Sequence, residues 1–126
     1  MLNLLWIGIA GGIGSVARYL MSSFALRIFG MTYPYGTLSV NVVGSFLMGL
    51  IMESSLSSST ISPTLRLILT TGFLGGFTTY SSFNQETLQQ LQSGDYQKTF
   101  LYILLMFVFC IAAGFSGWVI ARKFVG

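Results

Sequence analysis

The amino-acid sequence predicts an all-α membrane protein with four transmembrane helices, the third of which is broken in the middle of the membrane. Charged residues make up only 7% of the 126 residues, and the mean hydropathy is +0.76. Soluble domains contain about 25% charged residues, so a soluble globule of this composition is excluded. Long, mainly apolar stretches follow one another with short polar turns between them. We therefore expect a single transmembrane domain over residues 1–126.

The composition also argues against several function classes. The chain has no histidine, which is the commonest general base and metal ligand, and it has a single cysteine. Its three acids, Glu53, Glu86 and Asp95, are too scattered to predict a metal cluster or an acid–base pair. We therefore expect no enzyme. The net charge of +3 comes without a basic tract, so we expect no nucleic-acid partner.

The first predicted span covers residues about 2–29. Gly8 and Gly12 stand four residues apart, which is a signature of close helix packing in membranes. Arg18 lies beyond the middle of the span, where a charge is costly and usually faces protein or water. Alternatively, its long side chain reaches the lipid headgroups. The residues alone leave both possibilities open.

The second predicted span covers residues about 34–53 and contains Asn41 at its centre. An amide without partners in an apolar medium costs roughly 2–7 kcal/mol, so Asn41 must have a hydrogen-bonding partner. It either joins two helices or lines a pore as a donor. Thr37 and Gly44 lie on the same face as Asn41, which gives a polar track at helical spacing.

The third predicted span covers residues about 63–92, with a break near residues 75–79. Two adjacent glycines and two threonines weaken the helix there, because glycine and back-bonding hydroxyls both disfavour helix interiors. A break inside a membrane survives only where protein or a polar cavity surrounds it. Freed carbonyls can hold a cation, and a helix N-terminus can attract an anion. The alternative is close packing on Gly75 and Gly76 without any ion.

The fourth predicted span covers residues about 96–124, and four spans place both termini on one side of the membrane. That side carries Arg66, Arg122 and Lys123, whereas the other carries Arg27 and Lys98. Orientation follows an excess of cations on the cytoplasmic side, and here the excess is small. The sequence therefore permits both orientations, and with them a dimer of oppositely oriented copies.

The motifs resemble those of the Fluc fluoride channels over nearly the whole chain. The segment Gly75–Phe83 reads GGFTTYSSF and is followed by Glu86. Asn41 in the second span and the run Gly11–Tyr19, which reads GGIGSVARY, match as well. The motif of the third span is specific, whereas the glycine-rich first span alone would be weak.

This resemblance implies a dual-topology, antiparallel homodimer in the lipid bilayer of the bacterial cytoplasmic (inner) membrane. Such a dimer passively exports fluoride through two pores and so confers fluoride resistance. The resemblance also implies a structural sodium ion at the dimer interface, held by main-chain carbonyls at positions matching Gly75 and Thr78.

The resemblance further implies roles for individual side chains. Arg18 and Glu86 would have vestibule or structural roles. The family usually has phenylalanine where this chain has Tyr80, so the conduction rate is in question at this position. The positions that match the fluoride pore are Asn41, Tyr80, Ser81, Ser82, Phe83 and Tyr102.

Two other functions remain open at this stage. A small proton-coupled multidrug antiporter is also built from four short spans and can have dual topology. It needs a titratable acid within the membrane, whereas Glu53 and Glu86 lie toward span ends. A non-transporting membrane scaffold, in which the glycines serve packing alone, is the other alternative.

Overall fold

The structure is a computed structural model that describes residues 1–125, and the described chain consists of helices joined by short turns. The longest helices are α1 (Leu2–Phe29), α2 (Tyr35–Ser57) and α6 (Tyr96–Val125). Between α2 and α6 lies an interrupted segment, residues 63–92. It comprises α3 (Pro63–Leu67), a π-helix (Ile68–Leu74), α4 (Gly75–Phe77) and α5 (Tyr80–Gln92).

Three helices, α1, α2 and α6, are each long and apolar enough to cross a membrane. Helices α1 and α6 begin and end within one residue of the first and fourth predicted spans, and α2 begins within one residue of the second. The interrupted segment, which was predicted as a further span, differs from them because its second half is a 13-residue amphipathic helix rather than an apolar one. The chain is therefore an all-helical, multi-pass membrane protein.

The helices begin and end at residues suited to those positions. Gly30 ends α1 with a positive φ of 76°, which a residue without a side chain adopts easily. Pro63 begins α3 as predicted, and the Ser62 hydroxyl accepts a hydrogen bond from Leu65 N at 3.1 Å. Asp95 precedes α6, and its carboxylate accepts from Lys98 N at 3.1 Å.

Helix α2 extends further than the sequence predicted. The predicted span ended near residue 53, whereas the helix continues to Ser57 through the serine-rich stretch. The Ser57 hydroxyl donates to the Glu53 carboxylate, and the Ser58 hydroxyl donates to Ser54 O at 3.0 Å, each one turn back. These local bonds satisfy the hydroxyls within helical geometry, so the connecting loop is shorter than expected.

The π-helix is the feature of the fold that the sequence did not predict. We expected an ordinary α-helix before the glycine pair, whereas residues 68–74 have the wider π geometry. The Thr70 hydroxyl donates to Arg66 O at 2.8 Å and so competes for a carbonyl of the preceding turn. Short π-helical stretches often occur at functional sites, and this one leads directly into the glycine pair.

Glycines allow the interrupted segment to pack closely against α1. A side chain added at Gly14 would overlap Phe73 O, and one added at Gly76 would overlap Gly11 O. The predicted packing pair, Gly8 and Gly12, makes no such approach within this chain, because an added Cβ there meets no atom within 4 Å. The close contact therefore uses a neighbouring face of α1.

A second close contact joins α2 to α6, the pair with the most extensive packing in the described chain. A side chain at Gly49 would overlap Gly114 O, and one at Gly117 would overlap Phe46 O. One buried cluster, Val40, Leu74 and Phe77, fills the space between α2 and the first half of the interrupted segment. A second cluster joins α2, α5 and α6, and consists of Leu38, Phe83, Tyr102 and Met106.

Candidate functional site

The interrupted segment changes from helix to extended chain at Thr78 and Thr79. The φ and ψ angles are −83° and 157° at Thr78, and −150° and 114° at Thr79. The break predicted near residues 75–79 is therefore present. Beyond it, the Thr79 hydroxyl accepts from Ser82 N at 3.1 Å and caps α5. The first N–H groups of α5, at Tyr80 and Ser81, lie at a helix start and have no helical acceptor.

Asn41 holds the break from the neighbouring helix. Its Nδ2 donates to Thr79 O at 3.0 Å, and its Oδ1 accepts from Thr79 N at 2.8 Å. Both main-chain groups of Thr79 are thus satisfied by one side chain, which is 8% exposed. Nδ2 also lies 3.5 Å from Met106 Sδ. The structure therefore gives Asn41 the helix-joining role, and its role as a pore donor stays a prediction.

Arg18 reaches the same break from α1. Its Nε donates to Gly76 O at 3.0 Å, and the side chain is half-buried. Gly76 lies in the last turn before the break, where carbonyls lack helical partners and a cation is favoured. Of the two possibilities open from the sequence, the structure supports a contact with protein over one with headgroups.

Two further carbonyls at the break accept no hydrogen bond from residues 1–125, namely Gly75 O and Thr78 O. The usual donor to Gly75 O would be Thr79 N, which instead donates to Asn41. Gly75 is also exposed on the surface of this chain. These are the two positions at which the family resemblance implied a cation site, and carbonyl oxygens are ligands that suit a hard cation such as sodium.

Four aromatic rings extend from the break along α5, α6 and the turn before α2. The ring centres are 5.6 Å apart for Tyr80 and Phe83, and 5.3 Å apart for Phe83 and Tyr102. The ring centres of Tyr102 and Tyr33 are 5.5 Å apart. Each pair meets edge to face, at 87°, 68° and 88°. We call these rings the aromatic series. Phe83 and Tyr102 are buried, whereas Tyr80 is 75% exposed.

Glu86 lies beside the aromatic series and is held by two hydroxyls. Thr37 Oγ1 donates to Oε1 at 2.6 Å, and Tyr102 Oη donates to Oε2 at 2.5 Å. The carboxylate therefore joins α5 to both α2 and α6. The sequence named Thr37 only as part of a polar track, although its position one turn before Asn41 on the same face was the available signal.

The two serines of the motif occupy different environments. Ser81 is exposed, and its Oγ lies 3.4 Å from Thr79 Oγ1. The Ser82 side chain is half-buried and has no hydrogen-bond partner among residues 1–125. Both lie in the first turn of α5, so their hydroxyls are close to the unpaired N–H groups of that turn.

Two cavities lie at the ends of the aromatic series. The mouth cavity, of about 440 Å³, is bounded by the turn 30–34, the start of α2, the second half of α5 and Lys98. The groove, of about 610 Å³, is lined by Asn41, Thr79, Tyr80 and Phe83 among others. Tyr33 lines the first cavity and Tyr80 the second, so buried aromatic rings and Glu86 separate two accessible spaces.

Comparison with known proteins places nearly the whole chain in one family. The family described as "CrcB-like protein, Camphor Resistance (CrcB)" matches residues 5–118. The "Fluoride-specific ion channel FluC" of Anaeromyxobacter dehalogenans (strain 2CP-1) is similar at 48% identity over 126 residues, 100% of both chains. The protein of the same name from Sorangium cellulosum (strain So ce56) is 47% identical over 120 residues, 95% of this chain and 94% of that one. A third, from Citrifermentans bemidjiense, is 43% identical over 122 residues, 97% of this chain and 98% of that one.

Proposed function

The chain belongs to the CrcB family, whose similar members are fluoride-specific ion channels, and we propose how this chain carries out fluoride conduction. Family membership decides among the three functions that the sequence left open, and it makes the protein a channel rather than an enzyme. The finer proposal is a dimer of two antiparallel four-span copies with two pores and a central sodium ion. It exports fluoride passively across the bacterial cytoplasmic membrane.

The aromatic series is the single observation that best supports the proposed conduction pathway. Fluoride is small and strongly hydrated, so a pathway must replace its water with other positive contacts. The edges of aromatic rings carry the positive part of the ring quadrupole and can face an anion. Phe83 and Tyr102 offer such edges between the two cavities, and the first turn of α5 adds N–H groups and the hydroxyls of Ser81 and Ser82.

Tyr80 fits this pathway despite its difference from the usual phenylalanine. Its ring keeps the edge-to-face contact with Phe83, and its added hydroxyl is a further donor. Tyr80 is 75% exposed in one copy, and in the proposed dimer the second copy encloses it. The proposed pathway is then completed at the dimer interface.

The unpaired carbonyls of the break also support a second copy. In hydrocarbon, each unsatisfied main-chain group costs several kcal/mol. Gly75 O and Thr78 O have no partner among residues 1–125, and Gly75 is exposed. A second copy that covers the break removes this cost. The near balance of Arg66, Arg122 and Lys123 against Arg27 and Lys98 supports an inverted orientation for that copy.

Sodium at the dimer centre would be held by main-chain oxygens of Gly75 and Thr78. These oxygens fit a hard cation, since carbonyls are ligands that such ions accept and no hydrogen bond from residues 1–125 competes for them. When bound, the ion supplies positive charge that lowers the cost of bringing an anion into a medium of low dielectric. The chain's own contribution is to keep these carbonyls free: Asn41 accepts from Thr79 N, the usual donor to Gly75 O, and the Thr79 hydroxyl accepts from Ser82 N, the usual donor to Thr78 O.

A fluoride-electrode efflux assay on purified protein in liposomes tests the pathway. We expect fluoride efflux without chloride flux, and we expect Phe83→Ile to abolish efflux while the dimer still assembles on size-exclusion chromatography. Phe100→Ile is the matched control, since Phe100 is 68% exposed on α6, belongs to no ring pair of the aromatic series and lines neither cavity. Sodium-free liposomes should show slower efflux. Full efflux by Phe83→Ile would contradict the role of the aromatic series.

A further inference from the structure

Arg18 contacts the break through a single nitrogen of its guanidinium group. Its Nε donates to Gly76 O at 3.0 Å, and its two Nη atoms donate to no acceptor among residues 1–125. A neutral N–H group at the position of Nε would make the same hydrogen bond to a carbonyl. The contact therefore requires a donor but not a positive charge, so the charge of Arg18 needs a separate explanation.

No acidic side chain among residues 1–125 pairs with Arg18. Glu53 pairs with Arg122 at 3.6 Å. Glu86 accepts two hydroxyls, and Asp95 accepts a main-chain N–H at the start of α6. Arg18 is half-buried within the membrane-spanning helix α1, where a charge without a partner is costly. Such a charge within a membrane span usually has a function.

The guanidinium lies close to one of the two carbonyls that we propose as sodium ligands. Residues Gly75–Phe77 are helical, so the carbonyls of Gly75 and Gly76 both point toward the break, at the negative end of this half-helix. Adjacent residues are about 3.8 Å apart, and a metal–oxygen bond to a carbonyl is about 2.4 Å long. With the hydrogen bond of 3.0 Å, the charge of Arg18 is within about 10 Å of an ion on Gly75 O.

We propose that Arg18 sets the valence of the ion at the carbonyls of Gly75 and Thr78, so that this site accepts a monovalent cation and excludes divalent cations. Carbonyl oxygens alone do not make this choice, because they are ligands for calcium as well. A fixed positive charge repels a divalent ion twice as strongly as a monovalent ion at the same distance. This role of Arg18 rests on the proposed function, because it concerns the sodium site proposed there.

Arg18→Gln separates the charge from the hydrogen bond. Glutamine Nε2 is as many bonds from the main chain as arginine Nε, so the variant retains a donor for Gly76 O and loses the charge. Binding of radioactive sodium and radioactive calcium to the purified protein in sodium-free micelles measures the effect. We expect the half-saturating sodium concentration to fall about ten-fold, as for one charge removed at about 10 Å in an effective dielectric constant of about 20. The variant should also gain calcium binding.

Two further variants control for the loss of charge. Arg18→Lys keeps a cation at this position, so it should bind sodium and exclude calcium, as the parent does. Arg27→Gln removes an exposed cation from the last turn of the same helix, away from the break. It should leave the binding of both ions unchanged, although it has the same net charge as Arg18→Gln.

Three results would overturn this role of Arg18. The first is an unchanged or lower sodium affinity in Arg18→Gln that elutes like the parent on size-exclusion chromatography, and the second is the absence of calcium binding in that variant. The third is calcium that displaces sodium from the parent on equal terms, a measurement that needs no variant. A parent that retains neither ion would overturn the proposed sodium site together with this role. Fluoride efflux by the parent tests the channel function separately.

Discussion

At the scale of single residues, one amide determines whether the break can exist. Thr79 is buried and extended, so its N–H and C=O cannot pair along the chain. Asn41 satisfies both groups with its two amide atoms. An ionised carboxylate of the same shape lacks the donor, and leucine lacks both the donor and the acceptor. Thus the polar residue that stood out in the second span supports the chain interruption in the third.

This pairing predicts the cost of removing the amide. Asn41→Leu leaves two buried main-chain groups without partners, at about 1–3 kcal/mol each, so the free energy of unfolding should fall by about 2–6 kcal/mol. Unfolding of the micellar protein by added SDS measures this quantity. Asn84→Leu, the same change at an exposed position of α5, should alter it by less than about 0.5 kcal/mol. Equal stability of the two variants would show that Asn41 does not support the break.

At the scale of helices, glycines let main chains touch where the interrupted segment crosses α1. Gly76 approaches Gly11 O so closely that a Cβ would overlap it, and Gly14 approaches Phe73 O in the same way. This crossing brings Arg18 within reach of Gly76 O. Arg18 can therefore bond the last turn before the break only because the two helices approach closely. Small residues commonly allow such close approach of helices in membrane proteins.

A single added methyl group tests this crossing. Gly76→Ala must push α1 away, because its Cβ would overlap a main-chain oxygen that cannot move alone. Overpacking of this kind costs about 1–3 kcal/mol, so the midpoint of SDS-induced unfolding should fall accordingly. Gly8→Ala is the control on α1, the other helix of this crossing, since a Cβ added at Gly8 meets no atom within 4 Å. The opposite order of stabilities would contradict the assigned packing face.

At the scale of the whole molecule, one copy leaves its most unusual features uncovered. Tyr80 and Gly75 are exposed on the surface of a single chain, and Gly75 O and Thr78 O accept no hydrogen bond from residues 1–125. Lipid cannot satisfy these groups, whereas a second copy placed on them can. The weak difference in cations between the two sides supports the inverted orientation that we propose for that copy. In the proposed dimer, the ion pathway therefore depends on both the assembly and the orientation of the two copies.

Added charge should separate the two orientations. Ser59→Lys with Thr60→Lys adds cations to the side that holds Arg66, so C-terminal reporter fusions should report one orientation instead of both, and fluoride efflux should fall. Met31→Lys with Thr32→Lys should give the opposite orientation, because these exposed residues lie in the turn between α1 and α2, on the side opposite to Arg66.

Coexpression supplies the decisive control for this prediction. The two lysine variants together should restore efflux, since each supplies the orientation that the other lacks. Glutamine at the same four positions should leave both orientations and the efflux unchanged. Efflux by either lysine variant alone would contradict the antiparallel dimer.

Much of the fold follows from the sequence, because hydrocarbon imposes strict demands. Apolar length fixed three long helices, and paired glycines with threonines marked the break, since few sequences can interrupt a helix in a membrane. The motif also marked the residues at the break, including Gly75, Thr78 and Phe83. Local chemistry sufficed for these features, because each depends on residues close together along the chain.

Only the tertiary structure decided which distant groups meet. It brought Asn41 to Thr79, Arg18 to Gly76 O, and the hydroxyls of Thr37 and Tyr102 to Glu86. It also extended the aromatic series to Tyr33, a residue of the turn before α2. Such contacts depend on the angles at which helices cross and on how each helix is rotated about its axis. These angles follow from close packing between residues far apart in sequence, so no local sequence pattern encodes them.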